Sequence, residues 1–232
     1  MIKSLRRALT LVWLVLSATP VRADSIPKIV AKAKPAVVEI VSADATGAPK
    51  SQGTGFFVSP DGLLVTNRHV IEGSNSITAV SNTGAIFLFE RIVAEPPGVD
   101  IAVLKFHATD VPFLKLGEST NAVEGQKVIV IGNPTGHIGT VSDGIIFAFR
   151  ENRSFIQITA PISHGSSGSP VLDEAGRVIG IATLVSSEGQ NLNFAIAVEN
   201  VALALSQLST EPIAILTPSP PPPKRKTLER SP

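Results

Sequence analysis

The chain has 232 residues, of which 44% are hydrophobic and 17% charged, with a formal net charge of +1. That balance is ordinary for a soluble globular protein and carries no signal for nucleic-acid binding. Cysteine is absent, which excludes disulfides, thiolate metal sites and a cysteine nucleophile together.

Met1 to Ala23 opens with Lys3, Arg6 and Arg7, runs through an apolar stretch from Ala8 to Ala18 and ends Thr19-Pro20-Val21-Arg22-Ala23. This is the three-part pattern of a secretory signal peptide, with small Val21 and Ala23 at the positions that precede cleavage before Asp24. A membrane anchor competes with that reading, but the apolar stretch is roughly a dozen residues and a span needs about 20. Residues 1–23 are therefore expected to be removed, leaving an exported chain, periplasmic or secreted in a bacterium, with no lasting membrane anchor. The remainder is long enough to bury roughly 70% of its unfolded surface. Without disulfides it must be held by its apolar core, which suits a bacterial envelope protein.

In chain order, a short helix is expected from Ile26 to Lys34, stopped by Pro35. From Ala36 to about Val201 the chain alternates short β-rich runs with turn residues. The runs include Val37–Val41, Gly55–Val58, Leu63–Thr66, Ile101–Leu104, Lys127–Ile131, Val171–Leu172 and Val178–Ile181. Ser59-Pro60-Asp61-Gly62 and Asp173-Glu174-Ala175-Gly176 are good tight turns, because Gly and Asp tolerate the positive φ angles of hairpins. Many short strands joined in this way point to antiparallel sandwiches or barrels. The stretch from His107 to Asn121 has few strand signals and is expected to connect two halves. A second helix is expected at Val198–Leu208, where Val201, Leu205 and Leu208 recur at helical spacing. Residues 212–232 are Pro-rich and then basic, and are expected to form an extended, solvated tail.

Three segments carry chemistry. His164-Gly165-Ser166-Ser167-Gly168-Ser169-Pro170 precedes an apolar strand, and a serine between glycines on a tight loop can be flanked by converging backbone N–H groups that stabilise an oxyanion. Taken alone, the segment also reads as a plain Gly/Ser turn. Leu63-Leu64-Val65-Thr66-Asn67-Arg68-His69 brings a histidine to the end of an apolar strand, where it can stay neutral and accept a proton. His164 is its rival as base, and His107 and His137 lie in loop-like stretches. Asp100 opens the apolar run Ile101–Leu104, where a carboxylate needs a donor such as an imidazole N–H. Asp61 and Asp173 sit in turns and need no such partner.

The order His, Asp, Ser on a β-rich chain is that of chymotrypsin-like proteases. Thr66-Asn67-Arg68-His69-Val70, Asp100-Ile101-Ala102-Val103-Leu104-Lys105 and Gly165-Ser166-Ser167-Gly168-Ser169-Pro170-Val171 resemble the triad blocks of bacterial HtrA/Deg-type trypsin-like peptidases. Gly132-Asn133-Pro134, Thr140–Ile146 and Asn191–Ile196 are similar to that family's second barrel, so the likeness runs from about Ile29 to Val201.

The resemblance implies an all-β fold of two antiparallel six-stranded barrels with short terminal helices, one barrel over about 36–110 and the other over about 120–200, in a protease domain spanning 24–211. It implies a serine endopeptidase acting through an acyl-enzyme on peptide or unfolded, exported protein substrates. His69 would be the base, Asp100 its orienting carboxylate and Ser167 the nucleophile, with Gly165, Ser166 and Ser167 supplying the oxyanion hole. By the same analogy Pro161, Ile162, Asn193, Phe194 and Ala195 would line the substrate pocket, and a preference for small or medium apolar residues is expected. Ser166 replaces the family's usual asparagine, and Ser169 its second glycine.

Because the residues after Val201 fall short of the about 80–100 that a PDZ domain needs, a protease domain without a PDZ domain is expected. The start Asp24-Ser25-Ile26-Pro27 lacks the aromatic residues on which the family's trimers rely, so a monomer is expected. That start also differs from the Ile-Val-Gly-Gly terminus of trypsin-type zymogens. No metal cluster, phosphate loop or cofactor fingerprint is present, and the mechanism requires none. Two alternatives stand beside this reading. A lipase or esterase of the α/β-hydrolase type needs Gly-x-Ser-x-Gly and a histidine last in order, and neither is met here. The other is a catalytically silent protease fold acting as a binding or scaffold protein.

Overall fold

The computed structural model describes residues 25–133, 139–183 and 193–208. The expected signal peptide, His137, Pro134, Asn191, Leu192 and the tail at 212–232 lie outside the described residues. The first helix, α1 (Ile26–Ala33), ends before Pro35 as expected, and the chain tightens there into a 3-10 turn, Lys34–Ala36. Proline fits there because the first positions of a helical turn leave its missing N–H without consequence.

Six strands follow: β1 (Val37–Ala43), β2 (Pro49–Phe57), β3 (Leu63–Thr66), β4 (Ser76–Ser81), β5 (Ile86–Ala94) and β6 (Ala102–His107). They close into a barrel in the order β1-β2-β3-β6-β5-β4, every pairing antiparallel. A one-turn helix, α2 (Arg68–Ile71), leaves the end of β3. The second barrel contains β7 (Lys127–Gly132), β8 (Thr140–Arg150), β9 (Phe155–Ile158), β10 (Pro170–Leu172), β11 (Val178–Thr183) and β12 (Asn193–Ala197), in the order β10-β11-β12-β9-β8-β7. The expected all-β, two-barrel fold is the one observed, with α3 (Glu199–Leu208) closing the described chain.

Both expected turns form. In the first, Val58 N–H donates to Leu63 O at 2.8 Å, and Gly62 takes φ +93°. In the second, Gly176 has φ +74°, and the Asp173 carboxylate accepts the N–H groups of Ala175 and Arg177 at 2.9 Å each. Glycine is needed at these bends because a side chain at positive φ is strained.

Apolar burial divides three ways. Val38, Ile40, Phe57, Leu64 and Phe106 fill barrel one, and Val128, Val130, Ile146, Ile158 and Val171 fill barrel two. A third cluster lies along the seam between them. Phe56, Val65, Ile101 and Val103 from the first barrel meet Ile129, Ile131, Leu172 and Ile181 from the second. Ile29 of α1 and Val201 of α3 join the same cluster, so both helices clamp the seam. The inter-barrel strap, residues 108–126, lies along the surface, tied by Leu114 N–H to Phe57 O at 2.9 Å and by Gly117 N–H to Val178 O at 2.7 Å.

Candidate active site

His69 stands on α2, whose Val70 and Ile71 are buried in barrel one while the imidazole faces out, its side chain 43% exposed. The short helix turns the chain at the end of β3 and leaves His69 beside Asp100. Asp100 precedes β6, anchored by fully buried Ile101. The two meet twice: the His69 backbone N–H donates to Asp100 Oδ1 at 2.9 Å, and its ring Nδ1 lies 2.7 Å from Oδ2. With a carboxylate at Nδ1, a neutral ring keeps its proton there and leaves Nε2 as the acceptor.

Two further groups hold Asp100, one at its carboxylate and one at its backbone carbonyl. Thr183 of β11 donates its hydroxyl to Asp100 Oδ2 at 3.2 Å, from the opposite barrel, and the Asn67 side-chain amide donates to the Asp100 carbonyl at 2.7 Å. Burial pushes the Asp100 carboxyl up, but the hydrogen bonds from His69, its charge and the Thr183 hydroxyl together hold it below the usual carboxylate value.

Ser167 is 6% exposed and sits on the loop before β10. Gly165 and Gly168 bracket it at φ +88° and +87°, so the loop turns twice through left-handed backbone. Within it, Ser166 N–H donates to Ser163 O at 2.9 Å, Gly168 N–H to Ala182 O at 2.9 Å and Ser169 N–H to Ser166 O at 3.0 Å. The Gly165 and Ser167 N–H groups donate to nothing among the described residues. Ser166 departs from expectation: its amide is used inside the loop and is not presented beside the other two.

The serine loop is tied to the histidine side of the seam by short links. Thr54 N–H donates to Ser167 O at 2.8 Å. A Cβ at Gly53 would lie 2.7 Å from a Val70 methyl and 3.1 Å from Ser167 O, so only glycine lets the loop approach the residue next to His69. Ala182, which accepts from Gly168, adjoins Thr183, which binds Asp100. His69, Asp100 and Ser167 are thus brought to one stretch of the seam.

His164, the rival base, is exposed and bonds to no carboxylate among the described residues, while His107 sits 3.8 Å from Glu90 on the far side of barrel one. Of the expected pocket residues, Pro161 is exposed and its carbonyl accepts the Ser142 hydroxyl at 2.8 Å. Asn193 is held by its amide to Ala160 O at 2.9 Å, and Ile162 and Phe194 are half-buried. Ala195 is fully buried inside barrel two, so it backs this region and does not line an open wall. Thr54, Asn67 and Thr183 escaped the sequence reading. Their roles arise from contacts between residues 33 to 111 positions apart, for which no local signal exists.

Two closed antiparallel barrels with a His–Asp pair on one side of the seam and a glycine-flanked serine loop on the other form a chymotrypsin-like architecture. The chain matches the trypsin-like peptidase domain family over residues 53–181. It is 35% identical over 175 residues to the protein designated serine protease HhoB in Synechocystis, covering 70% of this chain and 42% of that one. It is 39% identical over 158 residues to a DegP-like periplasmic serine endoprotease of Chlamydia trachomatis, covering 65% of this chain and 32% of the relative. Among solved structures, the serine endoprotease from Yersinia pestis superposes with a TM-score of 0.72 at 31% identity, covering 80% of this chain and 66% of that chain. The chain belongs to the trypsin-like peptidase family, on its HtrA/Deg branch. It spans about two fifths of the HhoB protein and a third of the DegP-like one. No described helix is long and apolar enough to cross a membrane.

Proposed function

We propose that the protein is an exported serine endopeptidase that hydrolyses peptide bonds in unfolded or damaged proteins, with Ser167 as nucleophile, His69 as base and Asp100 as the orienting carboxylate. The observation that carries this reading is the His69–Asp100 pair at 2.7 Å, whose carboxylate accepts from Thr183, the neighbour of the Ala182 that holds the Ser167 loop. The periplasmic, DegP-like endoprotease designation of relatives supports the export and the cleavage of protein chains.

Ser167 Oγ attacks the scissile carbonyl as its proton passes to His69 Nε2, and the Gly165 and Ser167 N–H groups receive the oxyanion. Collapse of the tetrahedral species expels the amine, which takes the proton from His69, and leaves an acyl ester on Ser167. Water, deprotonated by His69, then releases the carboxylic acid and restores the serine. Asp100 stabilises the imidazolium at each stage and keeps Nε2 pointed at the seam.

Ile162 and Phe194 make the region beside the loop apolar, which supports cleavage after small or medium apolar residues. The test is hydrolysis of casein and of a peptide library by the full chain beside Ser167→Ala. The parent is expected to cut after apolar residues and the variant to fall about 10⁶-fold in turnover. Equal activity of the two proteins would overturn the assignment of Ser167. Efficient cleavage after arginine would overturn the proposed preference.

A further inference from the structure

Thr54 of β2 is fully buried, and two of its hydrogen bonds reach the serine loop described above. Its hydroxyl donates to Gly165 O at 2.7 Å and accepts the Asn133 N–H at 2.9 Å, so one oxygen joins β2 of barrel one to two separate loops of barrel two. Its own N–H donates to Ser167 O at 2.8 Å. Its carbonyl accepts the Thr66 hydroxyl at 2.7 Å and presses so closely on Gly168 that a Cβ there would lie 2.0 Å away.

Glycine populates positive and negative φ about equally, so Gly165 does not select φ +88° by itself. Something outside the residue must hold the Gly165–Ser166 peptide in the orientation that leaves the neighbouring N–H groups of Gly165 and Ser167 free. The group that touches that peptide's oxygen is the Thr54 hydroxyl. We infer that Thr54 is a positioning residue for the oxyanion hole: its side chain holds one end of the serine loop, its backbone holds the other, and the N–H groups between them are set before substrate arrives. The inference rests on the serine-peptidase reading. Thr54 reaches no reacting atom, so its effect passes through the loop alone.

A hole acts on charge that develops in the transition state and leaves ground-state binding nearly untouched. Thr54→Val removes the hydroxyl at constant shape, and Thr54→Ser keeps it. For the full chain, Thr54→Val is expected to lower kcat about 10²-fold with KM within threefold, because losing one such donor typically costs about 10²–10³. Thr54→Ser should recover kcat to within threefold of the parent. The second readout is amide hydrogen exchange by NMR, in which Asn133 should exchange at least about tenfold faster in Thr54→Val and at the parental rate in Thr54→Ser. A folded Thr54→Val with parental kcat, or a Thr54→Ser as impaired as the valine variant, would overturn the positioning role. Unchanged Asn133 exchange in Thr54→Val would overturn the clamp itself, whatever the activity. If the parent neither cleaves casein nor reacts at Ser167 with a fluorophosphonate, the peptidase reading fails and the catalytic role of Thr54 falls with it. Accelerated Asn133 exchange in the same samples would then show that the clamp stands on its own.

Discussion

Asp100 holds two donors from His69 and one from Thr183, and its carboxyl sits below its ordinary range despite partial burial. A carboxyl depressed in the fold binds its proton later than the unfolded chain does. Its stabilising contribution is therefore complete above the unfolded value of about 3.9, and disappears as pH falls through the lower native value. Thermal unfolding between pH 7 and pH 3 should show a steeper acid loss for the parent than for Asp100→Asn, and parallel curves would contradict that account. The same substitution leaves His69 without a carboxylate at Nδ1, favouring the wrong tautomer, so kcat is expected to fall about 10⁴-fold, as judged by steady-state hydrolysis.

At the level of elements, the hairpin joining β8 and β9 is unusual. Glu151, Asn152 and Arg153 all lie at positive φ, +47°, +51° and +70°. Such backbone persists only where its surroundings over-determine it. Arg153 supplies the restraint: its guanidinium donates to Ser119 O and Ala122 O at 2.8 Å each and lies 3.5 Å over the Phe149 ring. Ser119 is held in turn by Glu199 at the head of α3. Arg153→Ala should therefore destabilise by about 2–4 kcal/mol in urea unfolding, through two lost charge-assisted bonds and the freed loop. Continuous apolar runs flanking a Gly-containing turn, such as the end of β2 and all of β3, were legible in the sequence. β5 was not, because Ile86, Leu88 and Ile92 are exposed and blur the alternation. At the site, the His69–Asp100 contact was legible from two short local patterns. Thr54 and Thr183 were not, since a threonine in a strand announces nothing until a distant loop arrives beside it.

For the molecule as a whole, the seam cluster draws on both barrels and both terminal helices, so neither barrel exposes its partner's face without losing its own cover. A single cooperative transition is expected, with calorimetric and van't Hoff enthalpies agreeing. Ile131→Ala, which empties a fully buried seam position, should lower stability by about 2–5 kcal/mol without splitting that transition. Two separated transitions would show the barrels to be independent. Because His69 and Asp100 belong to one barrel and Ser167 to the other, the strap at 108–126 is the only covalent route between them. Sliding one barrel past the other by a single ångström would leave every strand pair intact, yet misplacements of that size can cost about 10²-fold in rate. Turnover is in that sense a ruler for barrel alignment. On the triad proposed above, a ligand that wedged the seam open by that much would slow the protein as an out-of-register gear slows a clock, with each wheel whole.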